Sequence, residues 1–133
     1  MTFVGTSDNI LSMRSEDILQ IHFADWLDKQ SVLYSASCGG MRTGIHTARK
    51  MKRMGYRKGC PDIMIFEARG GYGGLFIELK SKTGSATPEQ KEWQRRLILG
   101  GYQSYIMPIG MDFQQGLDWL KKKASGYLYG KQE

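Results

Sequence analysis

The chain is poor in the residues that build zinc sites, disulfide scaffolds and membrane spans. It has two cysteines, Cys38 and Cys60, and two histidines, His22 and His46. Neither cysteine belongs to a CxxC pair, so a structural zinc site and an HNH-type centre are both disfavoured. No basic segment followed by an apolar stretch opens the chain, and the two thiols read as reduced cysteines of a cytoplasmic protein. No apolar run approaches the ~18 residues of a membrane span. Proline occurs three times, as Pro61, Pro88 and Pro108, each where an element is expected to begin or end. The most telling absence is acidic. Between Asp28 and Asp62 there is no aspartate or glutamate, while the same stretch holds Lys29, Arg42, Arg49, Lys50, Lys52, Arg53, Arg57 and Lys58.

What is present fits one α/β domain. A length of 133 residues is close to the usual size of a single domain. Residues 1–11 read as a loose leader, and residues 126–133 as a tail that frays or serves an interface. The net charge of +6 suits a polyanionic partner, and the acid-free segment concentrates that charge. Ser15 is a candidate N-cap, and Leu19, Phe23, Trp26 and Leu27 recur at helical spacing up to about Lys29. Val32–Ser35 reads as a short strand, followed by a loop over Cys38–Gly44. A basic helix is expected from about Ile45 to Met54, stopped by Gly55 as a C′ residue.

Ile63–Phe66 is a nearly unbroken apolar run, as in a strand covered on both faces. A glycine-rich turn over Arg69–Gly74 leads to a return strand, Leu75–Lys80. Its period of two sets Phe76, Glu78 and Lys80 on one face and Leu75, Ile77 and Leu79 on the other. Thr87-Pro88-Glu89-Gln90 has the pattern of a capping box with proline at N1, and its helix ends at Gly100-Gly101. Tyr102–Ile109 reads as a further strand. Asp112 caps a last helix carrying Phe113, Leu117 and Leu120, with Lys121-Lys122-Lys123 near its C-terminal end. The methionines at 41, 51, 54, 64 and 107 read as core fillers, and Trp26, Trp93 and Trp119 as core residues without a ligand role.

The chemistry concentrates at Pro61-Asp62 and Glu78-Leu79-Lys80, one hairpin apart. Asp62 and Glu78 supply the one or two carboxylates with which Mg²⁺ or Mn²⁺ is commonly held, and the Leu79 carbonyl is a possible third oxygen. Such a cation acidifies water and neutralises phosphate oxygens. Lys80, on the side of Glu78, can orient or deprotonate the attacking water or balance charge in the transition state. Each piece alone has an ordinary reading: Glu-Leu-Lys as a solvated strand face, Pro-Asp as a turn, the basic helix as a solvated surface. The succession of all of them is far more selective.

The segments GCPDIMIF, GGLFIELKSKTG and TPEQKEWQRRLILGGY resemble the VRR-NUC branch of the PD-(D/E)xK nucleases, with the likeness running from about Ser15 to about Leu120. The resemblance implies a restriction-endonuclease-like core, a mixed central β-sheet flanked by helices. It implies metal ligation by Asp62, Glu78 and the Leu79 carbonyl, a catalytic role for Lys80, and a helical glutamine near the scissile phosphate, here Gln90. The family's N-terminal helical glutamate matches Glu16, with Asp17 adjacent; a first-turn carboxylate facing the helix dipole is the alternative for Glu16. Phosphate contacts are expected from Arg42, Arg49, Lys52, Arg53 and Lys58. Small members of this kind resemble Holliday-junction resolvases that act as homodimers, and a compact enzyme of this sort suits a phage or prophage. The expected function is therefore metal-dependent cutting of branched DNA. Cutting of flaps, nicked duplex or a restriction site is the nearer alternative, and a non-catalytic DNA-binding module is the more distant one.

Overall fold

The centre of the fold is a hairpin that closes on two glycines. Gly70 and Gly71 both take positive φ, 57° and 87°, and the flanking Arg69 and Tyr72 exchange backbone hydrogen bonds of 3.0 and 2.9 Å. Positive φ at both central residues gives a turn whose twist matches that of the strands, and glycine reaches it without steric cost. The computed structural model describes residues 15–37, 44–80 and 83–130. Their elements in order are α1 (Ser15–Gln30), β1 (Tyr34–Ala36), α2 (Ile45–Arg53), β2 (Ile63–Ile65), β3 (Leu75–Glu78), α3 (Pro88–Leu99), β4 (Gln103–Ile106) and α4 (Phe113–Tyr129).

The strands form one mixed sheet in the order β1-β2-β3-β4. β1 and β3 run antiparallel to β2, and β4 runs parallel to β3 after the crossover through α3. The register places Ile63 opposite Ile77 and Ile65 opposite Leu75. On one face the two central strands therefore present a continuous aliphatic surface. Leu19, Phe23 and Leu27 of α1, with Leu117, Leu120 and Ala124 of α4, complete the core against it. The other face carries Met64, Phe76 and Ser104 in register. There α3 packs against β4.

Several boundaries differ from the sequence reading. β1 begins two residues late: the Leu33 N–H donates to the Glu67 carboxylate at 2.9 Å instead of to a neighbouring strand, and the Tyr34 hydroxyl lies 2.7 Å from Asp28 and 3.1 Å from the Ala24 carbonyl of α1. β2 ends at Ile65, and Phe66 is exposed. The largest departure is at the C-terminus, where α4 continues to Tyr129. Tyr127 and Leu128 belong to the core, and the Tyr127 hydroxyl donates to the Glu67 carbonyl at 2.6 Å. These side chains are thus buried within the fold, and the tail expected from residue 126 is helical as far as Tyr129. The lysines at 121–123 consequently sit inside the helix, where Lys123 lies over the Tyr105 and Trp119 rings at 4.9 and 5.7 Å from their centroids. Among the methionines, Met54 is exposed while Met107 is buried. The expected leader at 1–11 and the loop residue Arg42 lie outside the described residues.

Candidate active site

Asp62 stands directly before β2, and Glu78 is the last residue of β3. The antiparallel pairing brings them to the same end of the hairpin. Leu79 follows with its side chain fully buried, which pins the backbone there. Its N–H donates to Asp62 Oδ2 at 2.8 Å. Asp62, Glu78 and Lys80 are all buried, at 9%, 7% and 8% exposure. Such burial of charge is costly unless every group is paired.

The pairing comes from α3. Thr87 caps this helix: its side chain accepts the Gln90 N–H at 3.1 Å, and Gln90 Oε1 accepts the Thr87 N–H at 3.0 Å. The same Oε1 accepts from Lys80 Nζ at 2.5 Å. Both partners of Oε1 can only donate, so the amide is forced to turn Nε2 toward Glu78, where it donates to Oε2 at 2.8 Å. Lys80 Nζ lies 3.9 Å from Glu78 Oε2 and also donates to the Ser85 carbonyl at 3.3 Å. Gln90 is therefore both the capping-box residue and the bridge between the carboxylate and the ammonium. Among the described residues no buried side-chain nitrogen or oxygen lacks a partner.

The two carboxyl groups face each other out of water, and each perturbs the acidity of the other. Burial first, then the facing Asp62 charge, pushes the Glu78 carboxyl up to about 9. Asp62 is raised as well, chiefly by burial, against the lowering pull of the Leu79 amide. Both shifts favour a proton shared within the metal-free pair, as expected of facing like charges that no cation separates. A buried oxygen-only donor pair that must keep a proton to remain together fits a hard divalent cation, which replaces that proton. Among the described residues no cluster of three or more His, Cys, Asp or Glu side chains converges as a ready metal cage. The donor set is thus the sparse kind that leaves coordination sites for water and phosphate.

Glu16 is half-buried in the first turn of α1 and lines a cleft with Lys80. Its charge helps raise Glu78, while that of Asp17 helps raise Asp62. Both acids thus act on the pair electrostatically. Thr87 and the Ser85 carbonyl were not foreseen as site groups. Thr87 had a signal in its capping box; a backbone acceptor such as Ser85 has none.

The basic residues lie on α2 and on the loop that follows it. Helix α2 buries none of its residues, and it ends in a Schellman motif: Gly55, at φ 111°, donates to the Lys52 carbonyl and Tyr56 to that of Met51, at 3.1 and 2.9 Å. His46, Arg49, Lys50 and Arg53 share one face and, with Met54, line an open hollow of about 510 Å³. Their spacing at 46, 49, 50 and 53 is that of one helical stripe, a signal that would have added His46 and Lys50 to the expected Arg49 and Arg53. Lys52 is exposed on the same helix. Lys58 lies in the following loop, 3.9 Å from Glu89 Oε2.

That loop is fastened to α3. The Lys58 carbonyl accepts the Trp93 indole N–H at 3.0 Å. Gly59 takes φ 94°, and a Cβ there would stand 2.7 Å from the Glu89 backbone. Only glycine permits this approach, which sets the entry of the chain into Pro61-Asp62.

The profile of the VRR-NUC domain family matches residues 11–108. A solved structure described as a VRR-NUC domain protein superposes with a TM-score of 0.65 at 28% identity, covering 88% of this chain and 90% of its own. A second, described as a VRR-NUC domain, gives a TM-score of 0.56 at 17% identity and covers 86% and 99%; at that identity it speaks to the fold alone. No curated protein sequence matches the chain.

Proposed function

The chain belongs to the VRR-NUC domain family, and from that premise we propose that it is a divalent-metal-dependent endonuclease that cuts branched DNA as a homodimer. Membership itself carries nuclease-type processing of DNA; the substrate, metal, assembly and residue roles are the proposal. The observation that supports it most is the buried chain of contacts from Lys80 through Gln90 and Glu78 to Asp62. A binding surface has no use for two carboxyl groups forced together out of water. Such groups are costly to keep and are typical of sites that tune protonation.

Asp62 and Glu78 would hold Mg²⁺ or Mn²⁺, with the Leu79 carbonyl as a further oxygen; the cation supplies an acidified water and charge neutralisation at the phosphate. Lys80 is held by Gln90 Oε1 and the Ser85 carbonyl, so its ammonium has a fixed position from which to orient the water or meet developing negative charge. Gln90 fixes Glu78 through its amide and stands at the N-terminus of α3, where partial positive charge favours an anion. Glu16 tunes the same site by charge. Arg49, Lys52, Arg53 and Lys58, joined by Arg42, His46 and Lys50, are assigned to backbone phosphates, whose release of counterions gives affinity without reading bases.

The junction and dimer readings rest on likeness to small family members and on symmetry, since a two-fold assembly offers two equivalent cuts. Exposed Phe66, Ile98 and Leu99 leave apolar surface for a second copy to cover. Among the described residues no helix is long and apolar enough to cross a membrane, and the cytoplasm is the proposed site of action.

The test is a metal titration on a panel of four-way junction, flap, nicked and linear duplex DNA, with oligomeric mass measured in parallel. Paired symmetric nicks in the junction, lost in Lys80→Ala while binding persists, are the expected result. Equal or faster cutting of linear duplex sinks the resolvase reading. Binding without cutting in either metal makes the chain a DNA-binding module.

A further inference from the structure

The cleft next to Lys80 has walls that the cutting chemistry leaves unused. It lies between the first turns of α1 and α4, encloses about 360 Å³, and is lined by Glu16, Leu19, Lys80, Met107, Met111 and Phe113 among others. That volume is within the range of small-ligand pockets, roughly 300–1,000 Å³. Met107 is 3% exposed, whereas Phe113 keeps 43% of its surface open and meets His22 edge-on at 5.0 Å. Glycine at position 116 of α4 makes room for the Met107 side chain, since a Cβ there would stand 2.6 Å from its Cε. Thioether and phenyl groups give a soft, polarisable lining that accepts a flat ring.

Two acidic side chains against the one lysine make a phosphate a poor occupant of this cleft. Glu16 and Asp112 lie at the cleft. The start of α4 is already satisfied, because Asp112 Oδ1 accepts the Gln115 N–H at 2.8 Å and Gln115 Oε1 accepts the Asp112 N–H at 3.0 Å. What suits the site is an uncharged planar group whose own backbone phosphate stays outside. Lys80 belongs both to the cleft and to the carboxylate network, so the occupant comes from a nucleotide beside the bond that is cut.

Resting on the nuclease reading above, we infer that this cleft receives the base of a nucleotide flanking the scissile phosphate, unstacked from its neighbour and laid against Phe113 and Met111. Drawing a base out of a duplex costs pairing and stacking, and costs least where the base is already unpaired. The cleft thereby favours cutting at branch points, and it gives the chain a source of structure selectivity that lies apart from its basic helix.

The test places 2-aminopurine in turn at each nucleotide flanking the mapped cut in a four-way junction. The full chain carrying Asp62→Asn is added in Mg²⁺ until anisotropy shows saturation, and the wild type is assayed for cleavage of the same DNA. A severalfold rise in fluorescence is expected at one flanking position, reduced by half or more when Phe113→Ala is combined with Asp62→Asn at unchanged saturation. Phe113 is exposed, so its truncation spares the core; Gly116→Ala, which displaces the Met107 methyl, gives a second variant with the same expectation. A saturated junction that the wild type cleaves, with no rise at any flanking position, overturns the cleft assignment and leaves the nuclease reading standing. Absence of cleavage in both Mg²⁺ and Mn²⁺ overturns the nuclease reading and the cleft assignment with it.

Discussion

Helix α2 and the Asp62–Glu78–Lys80 site both concentrate charge, and they handle it in opposite ways. The helix exposes its cations and buries no residue. Its charges keep their hydration, act over roughly a Debye length of ~10 Å, and are replaceable one by one. The site buries three ionisable side chains under 10% exposure and ties them to Gln90 and to backbone groups. There a single lost partner leaves a charge out of water with no compensation. The difference divides labour: the surface can gather a polyanion without strict geometry, whereas the interior fixes a few atoms strictly enough for chemistry.

The sharpest way to break this contrast is Glu78→Gln. Cleavage should fall by at least about 10²–10³-fold in single-turnover assays, the scale for losing one preorganised electrostatic group. Metal-free stability should move the other way. In the fold Glu78 keeps its proton to about 9, while the unfolded chain releases it near 4.5. Across that window the unfolded state binds fewer protons, so stability without metal falls as pH rises and is fully retained only below it. Glutamine does not titrate. In EDTA at pH 8–9 the variant should therefore melt a few degrees above the wild type, and a lower melting temperature would refute the shared-proton account. Added Mg²⁺ should raise the melting temperature of the wild type more than that of the variant.

Gln90 separates the two duties of α3. Gln90→Glu keeps a residue able to close the capping box but sets a carboxylate against Glu78, so cleavage should drop roughly 10–100-fold, proportionally far more than stability does. Thr87→Ala should do the reverse: about 1 kcal/mol of stability lost, with a smaller loss of rate. If both variants lose rate and stability in equal proportion, Gln90 has no duty beyond the cap.

The gentlest effect is expected on the surface. The double change Arg49→Ala with Arg53→Ala should leave melting and saturated cleavage rates unchanged. It should weaken binding to all DNA structures alike and reduce the slope of log affinity against log salt by roughly 2, about 0.9 per phosphate contact. A selective loss for junctions would move structure recognition onto this helix.

The legible parts of the molecule were those whose signals are local. The Thr87–Gln90 box, the Gly55 stop and the placing of Leu75, Ile77 and Leu79 together on the core face each follow from spacing, and the structure shows all three, although the strand itself ends at Glu78. The misread parts depend on distant contacts. Tyr127 and Leu128 look like a frayed end until the Glu67 carbonyl and the core receive them. Phe66 extends an apolar run, yet the strand ends before it and the ring edge meets Phe76 at a centroid distance of 6.1 Å. Nothing in the chain near Trp93 announces that its indole holds the loop that precedes Asp62.

By itself the sequence determined the chemistry available: two carboxylates and an ammonium one hairpin apart, a capped helix behind them and an acid-free basic helix before them. Spacing sufficed because strands and helices repeat at fixed periods, so residue type and separation assign a face. The tertiary structure alone decided that Glu78 and Asp62 are buried face to face with their acidities raised, that one amide of Gln90 serves cap and site together, and that the starts of α1 and α4 flank an apolar cleft beside Lys80. These properties arise from burial and from contacts between residues far apart in the chain, and acidity and pocket shape are set by what surrounds a group in space.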